Sequence, residues 1–400
     1  MQPYPDPINP AALNAFVECV GARAWGDRLE ALRSGASVQT RAGRQRSQRH
    51  CIEFTIERLR RGLLRQPSVA EQWIASLAAA AVALFMSLPN EGRQRLVALL
   101  RASLADDACL VPVFHLLRTA ELQRSRGFDV AFAGLEDGTP FDLLLRRDGT
   151  EAEVVCDVIS AEEGRDVHRG AWFSLVDRID PELQTWLCMH PGRYILKMTL
   201  PRGLRDAEGD GLLAALHARI TAMLDQSRRA DHDEAAVLRL DPLMLAAAQA
   251  DEVGLMPRLR REFGPEAHLS VTAAGGGIFV MAARAGREDE VAAAIRRRLS
   301  AIAPARLSGK RPGILSMFVE DTDRPEWRSL RDKLELEGEA RKFMTFPEAR
   351  NVVAITVASR LELFGLPEPD SAPGGELRFR NPAHPAAKTP ALAPAVLSSM

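Results

Sequence analysis

The feature that most constrains the fold of this chain is a series of extended segments in its middle third. FDLLLRR and EAEVVCDVIS, which start at Phe141 and Glu151, are joined by a short turn that contains Asp148 and Gly149. Two apolar stretches around such a turn predict an antiparallel β-hairpin. A helix that ends at Gly127 and a strand that begins at Phe128 precede it. The helix AWFSLVDRIDPELQTWL and the strand GRYILKMTLP follow it, so the order is helix, three strands, helix and strand.

This order predicts an α/β fold with a mixed sheet, preceded by an α-helical N-terminal region. Residues 1–107 carry helical apolar spacing and a basic edge. Residues 108–205 form the predicted α/β core. Residues 206–366 form an additional α/β segment, to which GILSMFVED belongs, although this strand is also a candidate member of the core sheet. Residues 367–400 are rich in Pro and Ala and predict a disordered tail.

Three local patterns refine the helical region. The run RAGRQRSQRH, from Arg41 to His50, lacks apolar periodicity and predicts an exposed basic loop. Asn90 is a candidate N-cap for the helix that follows it. The segment from Trp73 to Leu88 is apolar but shorter than the ~20 residues that a bilayer requires, so it predicts a buried helix and no membrane association.

Charge and cysteine content limit the possible partners and compartments. The net charge of −1 provides no global attraction to nucleic acid, so such a partner requires a local basic patch. Five widely spaced cysteines without a Cys-x-x-Cys pair argue against a disulfide framework and a thiolate zinc site. They are typical of a reducing compartment, and we expect a cytoplasmic protein.

Several residues of the predicted core occur in a pattern known from nucleases. Pro140 and Asp142 stand at the start of the second strand, and Cys156 and Ser160 lie in and after the third. With these residues the chain resembles the PD-(D/E)xK, or restriction-endonuclease-like, superfamily over residues 110–205. The resemblance implies metal-dependent cleavage of phosphodiester bonds, with carboxylates that bind Mg²⁺ and a lysine beside them. Glu121 stands where the helix of the family often supplies an acid.

The third strand departs from the family motif. In the register set by Cys156, Val155 replaces the glutamate of the family and Asp157 replaces its lysine. A shifted register places Glu153 and Asp157 on one face of the strand, because side chains alternate. With Asp142 they would form a Mg²⁺ site, and Lys197, Arg165 or His168 would supply the positive charge. The predicted catalytic set comprises Asp142, Glu153, Asp157, Glu121 and Lys197, and the metal ligands are Asp142, Glu153 and Asp157.

Two basic segments are the main candidates for binding DNA or RNA; the runs Arg58–Arg65 and Arg296–Arg298 are either further phosphate-binding patches or solvated faces. The first contributes Arg44, Arg46 and Arg49, and the second, the polar loop SAEEGRDVHR, contributes Arg165, His168 and Arg169. Arginine forks suit phosphate groups, and such contacts weaken as salt rises. The loop has an alternative structural interpretation, since Ser160 and Glu163 have the spacing of a helix capping box.

The sequence supports three functions. The first is a nucleic-acid-associated protein with a PD-(D/E)xK-like core and impaired catalysis. The second is an active, divergent Mg²⁺-dependent nuclease. The third is a scaffold or protein-interaction module that has lost nucleic-acid binding as well.

Overall fold

A computed structural model describes residues 8–35, 39–64, 66–205, 210–243, 252–264 and 266–399. The chain divides into two compact units. Unit 1 contains residues 1–35, 47–161 and 292–400, and unit 2 contains residues 36–46 and 162–291. Unit 2 therefore interrupts the chain of unit 1 twice. The sequence-based boundaries at residues 107, 205 and 366 differ from this division.

The described residues form a mixed α/β structure. The strands are β1 (Asp129–Ala131), β2 (Leu143–Arg147), β3 (Thr150–Ser160), β4 (Arg193–Leu200), β5 (Ala230–His232), β6 (Val237–Pro242), β7 (His268–Ala274), β8 (Gly277–Ala285), β9 (Gly313–Glu320), β10 (Val352–Ser359) and β11 (Leu377–Arg380). The helices up to the first strand are α1 (Pro10–Val20), α2 (Ala22–Gly35), α3 (Arg41–Arg49), α4 (Cys51–Arg60), α5 (Val69–Ser87), α6 (Asn90–Ala102) and α7 (Val111–Ser125). The later helices are α8 (Ala133–Glu136), α9 (Arg169–Met189), α10 (Asp210–Asp225), α11 (Glu252–Phe263), α12 (Val291–Arg306), α13 (Arg324–Asp332), α14 (Glu335–Phe343), α15 (Arg360–Leu363) and α16 (Ala393–Val396).

Unit 1 is built on a mixed sheet with the strand order β1-β2-β3-β9-β10-β11. The predicted hairpin is confirmed: β2 and β3 are antiparallel, with Leu143 opposite Val154. Strand β9 lies parallel to β3, with Cys156 opposite Ser316, so GILSMFVED does belong to the hairpin sheet. Every residue of β9 and of β10 is buried, as expected for parallel strands covered on both faces.

Unit 2 has its own mixed sheet, with the strand order β5-β6-β4-β8-β7. Helix α9 buries Trp172, Leu175 and Ile179 in the core of this unit. The predicted core was wrong here, because α9 and β4 were expected to complete the hairpin sheet. Strand β4 pairs instead with β6 and β8. After the insertion of residues 162–291, α12 and β9 follow β3 in unit 1.

The predicted basic loop at residues 41–50 is wrong, since Arg41–Arg49 is helix α3. Arg and Gln are good helix formers, and their helix needs no apolar stripe to be intrinsically favourable. The N-terminus of α3 is capped by Asp177, whose carboxylate accepts hydrogen bonds from Arg41 N at 2.9 Å and Ala42 N at 2.8 Å. The predicted N-cap at Asn90 is displaced by one residue, because Pro89 holds that position.

The C-terminal segment is ordered, in contrast to its predicted disorder. Strand β11 pairs antiparallel with β10 at the edge of the sheet of unit 1, and Leu392 and Val396 are buried in the core of that unit. The prolines stand at the first positions of short helical turns, where the missing N–H costs nothing. The prolines that make this segment's composition typical of disorder therefore mark the starts of short helical turns.

Helix α5 is, among the described residues, the one helix long and apolar enough to cross a membrane. Of its most apolar 18-residue window, 33% is buried. Ile74, Leu77, Ala78 and Ala81 pack into the core of unit 1. A capping box formed by Ser68 and Glu71 begins the helix.

Candidate functional site

The acidic residues singled out in the hairpin lie on one face of the sheet of unit 1. Glu153 and Asp157 are four residues apart on β3 and therefore point to the same side. Asp142 immediately precedes β2, where its backbone N–H donates to Val154 O at 2.9 Å. Helix α12 and the loop that leads to β9 supply a basic or hydroxyl partner to each of these carboxylates. We call these acids and their partners the arginine–carboxylate face.

Asp142 is held by the guanidinium of Arg306. Nη2 of Arg306 donates to Asp142 Oδ1 at 2.7 Å, and the backbone N–H of Cys156 donates to Asp142 Oδ2 at 2.6 Å. Arg306 also donates to the carbonyl oxygens of Pro140 at 3.0 Å and Cys156 at 3.2 Å. Burial raises the pKa of Asp142, and the Arg306 guanidinium opposes that rise. One arginine therefore joins the start of β2 to the middle of β3.

Asp157 is paired with Arg298, which lies about two turns before Arg306 on α12. Both Nε and Nη2 of Arg298 donate to the carboxylate, with Nη2 at 3.0 Å from Oδ1. The Asp157 side chain is 13% exposed and that of Arg298 is 43% exposed. This two-bond geometry is the most specific that a guanidinium and a carboxylate can adopt.

Glu153 is fully buried and is satisfied by the loop after α12. Ser308 donates to it from both its backbone N–H, at 2.8 Å, and its hydroxyl. Nη1 of Arg311 lies 3.5 Å from Glu153 Oε1. Arg311 also pairs with Glu151, which in turn accepts from Arg146 at 3.0 Å. The carboxylate of Glu153 thus fixes the loop that enters β9.

These contacts bear on the predicted metal ligands. Both carboxylate oxygens of Asp142, of Glu153 and of Asp157 accept hydrogen bonds from protein donors. In the part of the chain that the structure describes, no three His, Cys, Asp or Glu side chains are grouped so that they could hold a metal ion. The three residues do share a face, as expected, but they do not fit a Mg²⁺ site.

The remaining members of the predicted catalytic set lie elsewhere. Glu121 is half-buried on α7, where burial raises its pKa against the opposing charges of Arg124 and Arg118. Lys197 is on β4 of unit 2, and its Nζ lies 3.3 Å from Asp241 Oδ2. The prediction that Lys197 serves the hairpin carboxylates rested on β4 being part of their sheet, which is wrong.

The loop SAEEGRDVHR does not form an open phosphate cradle. Arg165 is 3% exposed and donates to Glu162 at 2.6 Å, with Asp289 3.9 Å away. The second oxygen of Glu162 accepts from the backbone N–H of Arg169 at 3.1 Å, at the start of α9, and His168 is the residue before that helix. The carboxylate of Glu162 therefore accepts hydrogen bonds from two donors that were expected to serve a phosphate.

The segment with the candidate capping-box residues Ser160 and Glu163 is the end of β3 and a short helical turn. Residues Ala161–Gly164 make a 3₁₀ helix, and the Ser160 hydroxyl donates to Asp321 Oδ2 at 2.6 Å. Gly164 is required for close packing, because a Cβ there would lie 2.5 Å from the Val291 Cα. Its carbonyl accepts from Glu290 N at 2.7 Å, so a hydrogen bond joins the two ends of the long segment of unit 2, which runs from residue 162 to residue 291.

The first basic segment is divided between the units. Arg44 and Arg46 fall in the part of α3 that belongs to unit 2, whereas Arg49 belongs to unit 1. Arg44 is exposed. Nη1 of Arg49 lies 3.7 Å from Asp321 Oδ2. The three arginines therefore do not form one surface within either unit.

No protein-family model, curated protein or solved structure matches this chain.

The opposite face of the same sheet carries a buried polar network. Nε2 of His115 on α7 lies 3.0 Å from the Ser316 carbonyl oxygen, and the Ser316 hydroxyl accepts from Thr356 at 3.0 Å. The His115 Nδ1 is buried without a hydrogen-bond partner. Burial lowers the pKa of His115 to about 4, so the ring is neutral at physiological pH.

Sequence reasoning did not identify the partners of the acids. Arg298, Arg306, Ser308 and Arg311 lie 141 to 164 residues away from the carboxylates they contact. The local signal was the basic run at residues 296–298, which indicated a phosphate-binding patch or a solvated helix face and gave no sign of carboxylate partners. Their role becomes visible once β3 and β9 are known to be neighbours in one sheet.

Proposed function

We propose that unit 1 is a nuclease-like core that binds DNA or RNA and does not hydrolyse it through a metal ion. The connectivity α7-β1-β2-β3, followed after an insertion by α12-β9, supports the resemblance to the PD-(D/E)xK superfamily. It has the helix, three strands, helix and strand of that core, with β3 and β9 parallel. The insertion of unit 2 explains why the sequence order alone pointed to α9 and β4.

The observation that carries the proposal is the pairing of Asp142 with Arg306 and of Asp157 with Arg298. Metal-dependent hydrolysis requires carboxylates that are available to a divalent cation. Here a guanidinium satisfies each of the two carboxylates, neutralises its charge and repels a cation. A guanidinium does not lower the pKa of a bound water as a metal does. The pairing therefore argues against metal-dependent hydrolysis and leaves phosphate binding by the exposed parts of these arginines as the favoured role.

The same arginines are suited to contact a nucleic-acid backbone. The Arg298 and Arg306 side chains are 43% and 31% exposed, and that of Arg311 is 36% exposed, so each retains a surface for a phosphate. Arg297 and Lys310 are also exposed on α12 and the loop that follows it. Several such contacts release counterions, and the affinity then falls steeply with salt concentration.

The test is a binding measurement with matched variants. Fluorescence anisotropy of labelled single-stranded DNA, duplex DNA and RNA is followed with the intact protein at 50 and 200 mM salt. Arg297→Gln and Lys310→Gln together remove two exposed positive charges and leave Arg298, Arg306 and Arg311 beside their carboxylate partners. We expect this double variant to bind at least tenfold more weakly, while the control Arg239→Gln in unit 2 binds normally.

Two other results would overturn the proposal. Binding that is absent at 50 mM salt would exclude nucleic acid as the partner and favour a scaffold. Equal binding by the double variant and the wild type would show that nucleic acid does not bind at this face. Metal-dependent cutting by the wild type would instead establish an active, divergent nuclease.

A further inference from the structure

A small pocket in the helical part of unit 1 lies outside the arginine–carboxylate face. Its volume is about 160 Å³. Its walls come from α1, from α2 and from the C-terminal end of α4. Trp25, Leu29 and Val17 form the apolar side of the pocket. Its charged side contains three arginines and two glutamates: Arg33, Arg60, Arg61, Glu18 and Glu57.

Glu57 fixes the positions of two of these arginines. It is 2% exposed, and its oxygens accept from Arg60 Nε at 3.0 Å, from Arg60 Nη2 and from Arg61 Nε. Trp25 Nε1 also donates to Glu57 Oε2, at 3.1 Å. These donors lower the pKa of Glu57 against the effect of burial, so the carboxylate stays ionised and holds the guanidinium groups in place.

The pocket retains donors that Glu57 does not use. Among the described residues, Arg60 Nη1 and both terminal nitrogens of Arg61 make no hydrogen bond, and Arg33 forms no ion pair. The lining carries three positive and two negative charges, a net charge of +1. Ala22, the first residue of α2, also lines the pocket, and the amide groups at a helix N-terminus favour an anion.

The size of the pocket restricts the ligand. The pocket has room for several water-sized groups. The five heavy atoms of a phosphate therefore fit within it. Three guanidinium groups suit the three terminal oxygens of a phosphate monoester better than the two oxygens of a carboxylate.

We propose that this pocket binds a terminal phosphate monoester, whether that of a small metabolite or that of a 5′-phosphorylated nucleic-acid end. The apolar side, with Trp25, then contacts the group that bears the phosphate. This inference is independent of the proposed function, because the pocket shares no residue with α12 or β9.

The test is calorimetric titration of the full chain with inorganic phosphate, with and without two substitutions. Arg33→Gln and Arg61→Gln each remove an exposed guanidinium that lines the pocket. Arg23→Gln is the matched control, since Arg23 lies on the same helix but is 96% exposed and outside the pocket. We expect phosphate to bind to the wild type and to the control with equal affinity, and at least tenfold more weakly to each pocket variant.

Two further titrations distinguish the source of the phosphate. A 5′-phosphorylated oligonucleotide that binds more tightly than its 5′-hydroxyl counterpart, with the difference lost in Arg61→Gln, identifies a nucleic-acid end. A mononucleotide that competes equally well identifies a small ligand. Failure of inorganic phosphate to bind at millimolar concentration, or equal binding to the wild type and both pocket variants, would overturn the inference. Weak binding of 5′-hydroxyl DNA would count against the proposed function and would not affect this inference.

Discussion

Arg306 reaches from the end of α12 to Asp142, with Nη2 2.7 Å from Oδ1, and connects residues 164 positions apart in the chain. The same guanidinium donates to the carbonyl oxygens of Pro140 and Cys156. It therefore closes the edge where β2 begins beside β3. In the part of the chain that the structure describes, Asp142 belongs to no group of three His, Cys, Asp or Glu side chains that could hold a metal ion, and this arginine opposes its charge.

Substitution of Arg306 should destabilise the protein in a pH-dependent way. In Arg306→Gln the half-buried Asp142 loses its charge partner, and we expect a loss of about 1–3 kcal/mol of unfolding free energy at pH 7. Burial already raises the pKa of Asp142, and the pKa should rise further without Arg306. A raised carboxyl pKa favours the native state at acid pH, and that contribution disappears as pH rises through the folded pKa. Urea unfolding should therefore show a smaller loss at pH 4.5 than at pH 7, whereas an equal loss would contradict this role.

His115 should make the protein less stable in acid. The lone Nδ1 is buried without an acceptor, and burial lowers the pKa of the ring from 6.5 to about 4. As pH falls through this range, the unfolded chain takes up a proton that the native state excludes. The stability that His115 provides is therefore full above pH 6.5 and is lost toward pH 4, by about 1.4 kcal/mol per pH unit. In urea unfolding, His115→Leu should reduce this slope between pH 6.5 and 4.5. An unchanged slope would show that His115 is already protonated or accessible.

The turn at the start of unit 2 should not accept a side chain. In Gly164→Ala the added Cβ would lie 2.5 Å from Val291 Cα and 2.6 Å from Val291 N, which are backbone atoms. We expect a loss of about 1–3 kcal/mol from such overpacking. Gly211→Ala is the control, because Gly211 lies in α10 with no atom within 4 Å of the added carbon. It should be neutral or stabilising by up to about 1 kcal/mol. Equal melting temperatures for the two variants would contradict the tight contact.

The cysteines should differ in reactivity according to burial. Burial raises the pKa of Cys51 to about 11 and also raises the pKa of Cys19, Cys109 and Cys156, so little thiolate forms at these sites. Cys188 is exposed. Titration of the native protein with a thiol reagent at pH 8 should show one fast reaction, which Cys188→Ser abolishes. A fast reaction that persists in this variant would show that another cysteine is accessible.

The hairpin could be predicted because its evidence is local. Apolar stretches around Asp148 and Gly149 specify β2 and β3, and the structure confirms both strands. The crossover could not be predicted in the same way. Elements that follow one another in sequence are usually neighbours in space, so α9 and β4 were expected to complete the hairpin sheet. Instead, they belong to an insertion of more than a hundred residues.

The site was predictable only in part for the same reason. Strand alternation placed Glu153 and Asp157 on one face, and the structure agrees. Their partners Arg298 and Ser308 belong to a segment that reaches β3 only through the parallel pairing of β3 and β9. Long-range pairing leaves no local pattern, so the carboxylates appeared available to a metal when they are engaged by protein donors.

A combined binding and cleavage experiment shows whether the protein binds nucleic acid without cutting it. End-labelled single-stranded DNA, duplex DNA and RNA are incubated with the intact protein in Mg²⁺, Mn²⁺ or EDTA, and each sample is analysed on native and denaturing gels. We expect a salt-sensitive mobility shift on the native gel that does not depend on the metal. On the denaturing gel we expect intact strands. Strands cut in Mg²⁺ or Mn²⁺ but intact in EDTA, with cutting lost in Asp142→Ala, would contradict it.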